Sequence, residues 1–563
     1  MQIWYIGWLG LEIPESDHEA VRQQLREEKQ CLPVFLDAHR AGEFEDMCTK
    51  LIHPIFHLAV PVSNDLCNAF HKPPHEWQSR WQMYNKVNLE MVTVLVEAFN
   101  DHDYVWVVDT ELLMVPAFVG TRCKTANMAF LFNTPFPSSD IFRMLPARKD
   151  ILRALLNADM ILFHCFTYAR HFLTCCSRLL GLEYHAMRGG LLQLLFRGRH
   201  VHVRASHVGM DSPTFLQQLA RDAAVADYKV EWRRVLGDKH VILGYDDLEP
   251  MSGLLLLVHA MASLLRLFPD VVGRVVLVLV ALPLLDAHKQ EQHGDYKRRM
   301  LAAVEALNAA HPGLVVVVNR RLEFAERVSL FASADMLVNA AVRHGLNLVP
   351  FEFVLCGGDK RPGFVVSEFL GCSRVMPGAV RTNPWRDEDM AKAIYKLLSQ
   401  AAHDKAFWHQ LQRDFCRQNT VEAWADRALQ DMKRIRELMV SLGEDGARSR
   451  CRVGIAKMPH KEISGNLLKV EQVYEAYRET TTRLIMVDID LLLRPILHPE
   501  KAVDGRALLA SKTAILRCLG QLSRHPGNLI FLLSSNSAAE IRDFFGEAPL
   551  LFSPFPPQLF FPL

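Results

Sequence analysis

The chain is expected to be an α/β protein with two doubly wound lobes facing each other, followed by a third, partial α/β unit. Three observations carry this. Short apolar runs alternate with helical patterns from Trp4 to about Asn383, as in parallel sheets joined by crossover helices. The run Val275-Val276-Leu277-Val278-Leu279-Val280 is apolar without a break, which fits a strand covered on both faces. A new strand series begins at His240, after an interval over residues 205–238.

Strands are expected at Trp4–Ile6, Tyr104–Val108, Met128–Phe132, Met160–Phe163 and Val201–Arg204 in the first lobe. In the second they are expected at Val241–Leu243, Val275–Val280, Leu314–Val318 and Ala334–Asn339. Helical spacing marks Lys149–Leu156, Ala169–Leu180 and Leu254–Leu267. Trp424, Ala428, Met432, Ile435 and Met439 share one helix face within Glu422–Met439. A third unit opens with a strand Arg483–Val487, runs through a helix around Ala507–Leu522 and reaches a strand Asn528–Leu533. The expected division is 1–205, 206–440, a linker over 441–480, a partial domain over 481–548 and an irregular tail over 549–563.

Lys and Arg number 64 against 63 Asp and Glu, a net charge of +1. Such a balance offers no field for nucleic acid or an acidic membrane. The longest apolar stretch, Leu254 to Phe268, is interrupted by His259, Ser263 and Arg266 and is shorter than the ~20 residues a bilayer requires. No signal peptide is expected at Met1–Gly7. The 12 cysteines form no C-x-x-C pair, which fits reduced thiols in a cytoplasmic protein.

The stretch Val342-Arg343-His344-Gly345-Leu346-Asn347-Leu348-Val349-Pro350-Phe351-Glu352-Phe353 reads as a glycine turn leading from a strand into a helix. Pro350 suits a first helical turn. Unpaired backbone N–H groups at such a start can bind the pyrophosphate of a nucleotide sugar. A carboxylate at Glu352 could accept hydrogen bonds from ribose hydroxyls. At a predicted strand end, Asp109 lies where open α/β sheets place ligand contacts, with a buried structural carboxylate as the alternative.

This stretch resembles the donor motif of the trehalose-6-phosphate synthase family. Tyr104–Asp109, Phe132-Asn133-Thr134-Pro135-Phe136-Pro137-Ser138-Ser139-Asp140-Ile141-Phe142, Tyr168–Leu173, Val366–Ser373 and Asn383-Pro384-Trp385 resemble further family motifs. The wording, with Gly244-Tyr245-Asp246-Asp247, is most similar to the plant-type two-domain subgroup, in which a phosphatase-like region follows the synthase-like one. The resemblance implies two Rossmann-like lobes of the GT-B type and a partial haloacid-dehalogenase-like domain. It implies transfer of glucose from UDP-glucose to glucose 6-phosphate, giving trehalose 6-phosphate and UDP, with no metal needed. Asp109 and Asn133 fall on the acceptor side, Asn133 where the family has histidine. Arg343, His344, Gly345, Leu346, Asn347, Leu348, Val349 and Glu352 fall on the donor side, His344 where the family has aspartate.

The departures carry their own implication. Asp247 stands where active members place an arginine and Ser252 where they place a lysine, so two cations facing the diphosphate are replaced by an anion and a hydroxyl. The chain begins after the family's first strand and its Gly-Gly loop. In the third unit Asp488 and Asp490 match a nucleophile and acid/base pair and Ser534 a phosphate-binding residue, a set that would take Mg²⁺ only were the domain intact. These departures imply weak or absent catalysis and a regulatory role with protein partners. A UDP-glucose or sugar-phosphate sensor, or a truncated non-functional product, is the alternative.

Overall fold

A computed structural model describes residues 3–58, 74–187, 189–284, 293–357, 361–441, 483–488, 521, 525 and 528–533. Met1–Glu462 form one compact unit and Ile463–Leu563 another. In the first unit, β1 (Tyr5–Trp8) and β2 (Cys31–Val34) form a parallel pair of their own. The first large sheet contains β3 (Tyr104–Val108), β4 (Asn127–Phe132), β5 (Met160–Phe163), β6 (Tyr184–Ala186), β7 (Leu191–Phe196) and β8 (Arg199–Ala205), in the order β3-β4-β5-β8-β7-β6. The second contains β9 (His240–Asp247), β10 (Val275–Leu282), β11 (Val315–Val318), β12 (Met336–Asn339), β13 (Gly363–Ser367) and β14 (Val380–Thr382), in the order β11-β10-β9-β12-β13-β14.

The second sheet is parallel throughout, as expected. The first is not: β6, β7 and β8 pair antiparallel. The β7–β8 connection explains this. Arg197 and Gly198 both have positive φ, 54° and 76°, which is the two-residue turn whose twist matches a hairpin. Tyr184–Ala186, Gly363–Ser367 and Val380–Thr382 were not among the expected strands, nor were Cys31–Val34 and Leu191–Phe196. Cys31–Val34 is four residues long and contains Pro33, and Leu191–Phe196 carries little polar alternation to mark it.

Side-chain alternation fixes both sheets between two cores. On β10, Val276, Val278, Val280 and Leu282 enter one core, while Val275, Leu277, Leu279 and Ala281 enter the other. On β4, Met128, Phe130 and Phe132 point to the helices of the first lobe, and Ala129 and Leu131 point the opposite way. That second face is covered by the helix Val421–Ser441 through Trp424, Ala428, Met432, Ile435 and Met439. A helix that follows the second sheet in sequence thus completes the first lobe. The Trp424 indole N–H donates to the Ser206 carbonyl at 3.3 Å, and Arg204 pairs with Asp431 at 3.1 Å.

In the second unit β15 (Arg483–Asp488) runs parallel to β16 (Asn528–Leu533), with Asp488 opposite Leu533. Asp490, Ser534, most of the expected helix Ala507–Leu522, the linker from residue 442 and the tail lie outside the described residues. No helix among the described residues is long and apolar enough to cross a membrane.

Candidate functional site

Of the residues singled out from the sequence, Asp109, Asn133, Asp247 and the loop 340–348 lie at or after the ends of β3, β4, β9 and β12, whereas Asp488 belongs to the second unit and Asp490 and Ser534 lie outside the described residues. Asp109 follows β3 with φ 66° and ψ −177°, a conformation that L residues avoid and that concentrates at functional positions. Its Oδ1 accepts from the Thr110 N–H at 3.0 Å, the Thr134 N–H at 3.3 Å and the Thr134 hydroxyl at 2.8 Å. Oδ2 takes none of these bonds. Burial pushes the Asp109 carboxyl above its usual range, against the hydrogen bonds from Thr134. Beside it Glu111 accepts from His53 at 2.8 Å. Burial opposes ionisation of Glu111, but the bond and charge of His53 outweigh it and hold the carboxyl below its usual value.

Asn133 lies one loop over, after β4, and is solvent-accessible. Its Oδ1 lies 3.2 Å from Nε2 of the buried His164. The donor loop touches the same loop from the other lobe. A methyl group on Gly345 would overlap the Asn133 backbone oxygen, and one on Gly371 would overlap the Gly345 oxygen. Gly345 is needed for this close approach rather than for a positive φ. The Tyr168 hydroxyl donates to the His344 carbonyl at 3.1 Å and approaches that of Gly345 at 3.4 Å. The Cys372 N–H donates to the buried Leu346 carbonyl at 2.9 Å. Arg343 stacks its guanidinium over Phe369 at 5.5 Å.

His344 is reached by solvent, yet desolvation by the surrounding protein lowers its pKa, against the charge of Asp247. Burial also lowers His57 and His164 to about 4. His57 and His164 are therefore neutral near pH 7, His344 is shifted in the same direction, and none of the three replaces the missing cations.

The helix start differs from expectation. Asn347 has φ 62°, a left-handed conformation that asparagine tolerates better than most residues. Its Oδ1 accepts from the Val349 N–H at 3.0 Å, ahead of the helix Val349–Cys356 with Pro350 in its first turn. That donor, expected to be open to a pyrophosphate, is capped from within the chain. Leu348 and Val349 are half-buried there. Glu352 meets Arg327 at 3.3 Å through Oε2. Burial raises the Glu352 pKa and Arg327 opposes the rise.

At the two expected cation positions the structure separates the residues. Asp247 is half-exposed and lies 3.9 Å from Arg321. Ser252 is buried and donates to the Glu249 carbonyl at 2.6 Å, so it turns into the chain and does not face a ligand. Gly253 behind it, with φ 69°, sits against the Ala340 carbonyl, where a Cβ would overlap. Sequence reasoning gave no role to His53, His164, Tyr168, Arg321 or Arg327. Tyr168 lay within a matched motif, but its contact with the donor loop spans 176 residues.

Asp246, at the end of β9, is raised to about 7 by burial, with the charges of Asp247 and Glu249 adding to the rise. The Asp247 N–H and the Asn339 amide oppose it. Because the folded value lies above the ordinary 3.8, the stabilisation from this group is complete below that pH and is lost as pH rises toward 7. Asp246→Asn should remove this loss. Melting curves of both proteins between about pH 4 and about pH 8 check it: their difference should shift against the wild type as pH rises, and a constant difference would refute the assignment. Among the described residues no group of three or more His, Cys, Asp or Glu is placed to hold a metal ion.

Comparison with known proteins fits this geometry. The family model of glycosyltransferase family 20 matches residues 1–434. The chain belongs to glycosyltransferase family 20. It is 32% identical over 579 residues to alpha,alpha-trehalose-phosphate synthase [UDP-forming] 6 of Arabidopsis thaliana, covering 98% of this chain and 64% of that relative. The 56 kDa subunit of the Kluyveromyces lactis synthase is 30% identical over 442 residues, 77% of this chain and 86% of that one. The chain thus spans 64% of the length of the Arabidopsis relative. Among solved structures, the N-terminal domain of a Candida albicans trehalose-6-phosphate phosphatase superposes with a TM-score of 0.68 at 24% identity, over 76% of this chain and 89% of its own. A Burkholderia xenovorans trehalose-phosphate synthase in complex with glucose-6-phosphate gives 0.65 at 20%, over 71% and 86%. At those identities the likeness establishes the family's GT-B type α/β fold.

Proposed function

We propose that this family 20 chain binds a nucleotide sugar, UDP-glucose, on the second lobe and a sugar phosphate, glucose 6-phosphate or trehalose 6-phosphate, beside Asp109, with slow or no glucosyl transfer. The observation that carries it is the contact between the Gly345 loop and the Asn133 loop, which sets the donor-side and acceptor-side residues against each other across one cleft. The groups that support it as hydrogen-bonding partners are Asp109 Oδ2, the Asn133 amide, Arg343 and Glu352, the last also paired with Arg327. The charge balance opposes transfer. Asp247 and Glu249 add negative charge at the end of β9, beside Asp246 raised to about 7, His57 and His164 are neutral near pH 7, and Ser252 faces inward. Transfer of a glucosyl group requires stabilisation of the leaving diphosphate, so binding outlasts catalysis in this reading. A role as a sugar-status sensor acting through regulatory protein partners follows from it.

The transfer reading routes no step through a metal. Mg²⁺ would concern the second unit alone, where Asp490 and Ser534 lie outside the described residues. The described cysteines are free thiols, all buried except Cys31, which supports a cytoplasmic setting.

Calorimetric titration of UDP, UDP-glucose and then glucose 6-phosphate, with a coupled assay for UDP release, tests the proposal. Binding with little release is expected. Asp247→Asn removes an anion beside the diphosphate and should tighten UDP about 3- to 10-fold at low salt, the gain shrinking as salt is added. Rapid UDP release by the unaltered chain would overturn the reading of the β9 end as disabling. Failure of a well-folded chain to bind UDP or UDP-glucose would overturn the proposal itself.

A further inference from the structure

Three contacts tie the start of the donor loop to the segment that ends β9 and follows it. The Ala340 carbonyl packs against Gly253, where a Cβ would overlap it. The Val342 N–H donates to the Met251 carbonyl at 2.8 Å. The third contact runs through the buried Asn339, the last residue of β12. Its Oδ1 accepts from the Ala341 N–H at 3.0 Å, and its Nδ2 donates to Asp246 Oδ2 at 3.3 Å. Both neighbours demand this orientation, because a backbone N–H only donates and a carboxylate only accepts. Asp246 thus reaches the donor loop through a single amide.

The Asp246 carboxyl is held by opposing demands. Oδ1 accepts from the Asp247 N–H at 2.9 Å, so each oxygen receives an N–H, as suits an ionised group. Burial favours the neutral form, and the carboxylates of Asp247 and Glu249 add to it; together they prevail. Other groups face the same point. Tyr296, on the helix Gly294–Ala310, and Cys372 are both raised by burial, with the charge of Asp246 adding to the rise. Arg321 reaches Asp247 at 3.9 Å, and the charge of Asp247 acts on His344. A diphosphate on the donor side brings further negative charge toward this cluster. Like charges disfavour ionisation, and Asp246 is the member already poised to lose its charge near neutral pH.

We propose that Asp246 is a positioning residue whose carboxyl takes up a proton as the nucleotide sugar binds, removing one negative charge from behind the diphosphate while Asn339 keeps the donor loop in place. The assignment rests on the nucleotide-sugar reading above and adds to it the group that links binding to pH. The proton comes from solvent and goes to a carboxyl oxygen, which retains a lone pair for its N–H partner. Linkage is reciprocal: a ligand that favours the proton is favoured by it, so affinity falls as pH rises.

The experiment titrates UDP-glucose calorimetrically into the full chain from about pH 6 to about pH 8, in buffers of different ionisation enthalpy, so that protons taken up are counted. The diphosphate of UDP-glucose is a diester with nothing to titrate in that range. UDP carries a terminal phosphate that does titrate there, so it serves only to show that the nucleotide site is occupied. Net uptake of a fraction of a proton is expected near neutral pH, with affinity falling roughly 3- to 10-fold across the range. In Asp246→Asn the uptake and the fall should both disappear. In Asp247→Asn the midpoint of the fall should move to lower pH, because a charge that favours the proton is gone. Infrared difference spectra between free and bound protein should gain a protonated-carboxyl band that Asp246→Asn lacks. A carboxyl that merely shaped the loop would move none of these. Should Asp246→Asn fail to fold, the proton count of the unaltered chain and the midpoint in Asp247→Asn still decide the matter.

Binding without proton uptake would overturn the proposal. So would uptake that persists in Asp246→Asn and therefore belongs to another group, such as His344. Either result leaves the nucleotide site standing. A folded chain that binds neither UDP nor UDP-glucose overturns both readings.

Discussion

Gly345→Ala is expected to abolish UDP-glucose binding and to lower the stability of the first unit. The glycine does not adopt a left-handed conformation, so alanine brings no conformational penalty of its own. The cost is steric. A Cβ there would overlap the backbone oxygen of Asn133, whereas a comfortable contact needs roughly 3.5 Å. Neither side yields easily. Asn133 is tied by the His164 bond and by Thr134 to Asp109. The Gly345 loop is tied by Tyr168, by the Cys372 N–H and by the pairing of His344 with Leu370. Overpacking of this kind typically costs about 1–3 kcal/mol. Separation of the loops also removes the juxtaposition that the proposed site depends on. Thermal melts and UDP-glucose titration of the variant check both parts. Tyr168→Phe, which keeps the ring and loses only the hydroxyl, should give a milder loss in the same direction. Unchanged affinity in Gly345→Ala would show that the two loops are free to part without consequence for the ligand.

The legible and illegible parts of this chain divide along physical lines. β3, β5, β10 and the helix Leu254–Leu267 declared themselves because each is an unbroken apolar run or a periodic one whose signal is local. The covering helix was visible for the same reason, since Trp424 to Met439 repeat on one face. β2, β6 and β7 were not, because their pairing depends on neighbours rather than on a strong pattern. In the site, Asp109 stood out as a strand-end residue, Gly345 as a glycine turn, and Asn133 only through the family resemblance. The expected bare helix start proved to be capped by Asn347, and Ser252 proved to face inward; both depend on side-chain direction, which spacing does not encode. The partners that fix the site are pairs far apart in the chain. His53 and Glu111 are 58 residues apart, and Asn133 and His164 are 31 apart. No window along the sequence contains both members together with the geometry that makes them a pair.

The counterpart to Gly345 lies at the opposite end of the first sheet. Arg199 opens β8 and Asp159 directly precedes β5, so their pair sits at the edge away from the strand ends that form the cleft. The two side chains are 3% and 4% exposed and 2.9 Å apart. Arg199 also donates to the Leu156 carbonyl at 3.0 Å and approaches that of Ala158 at 3.5 Å, and Asp159 accepts from the Met128 N–H at 2.8 Å. Arg199→Ala removes a guanidinium 2.9 Å from a buried carboxylate and takes this donor from the Leu156 carbonyl. Loss of one partner of a buried pair costs about 3–5 kcal/mol, a large share of the ~5–15 kcal/mol by which a typical domain is stable. Urea unfolding of the variant measures it. Combining Arg199→Met with Asp159→Asn should recover part of the loss, because the buried negative charge is then gone. Ligand affinity separates this effect from that of Gly345. Arg199→Ala that remains folded should bind UDP as the unaltered chain does, while Gly345→Ala should lose binding at temperatures where it is still folded. A small loss of stability in Arg199→Ala, under about 1 kcal/mol, would mean that water reaches Asp159 once the guanidinium is removed, and that this edge of the sheet is looser than its burial implies.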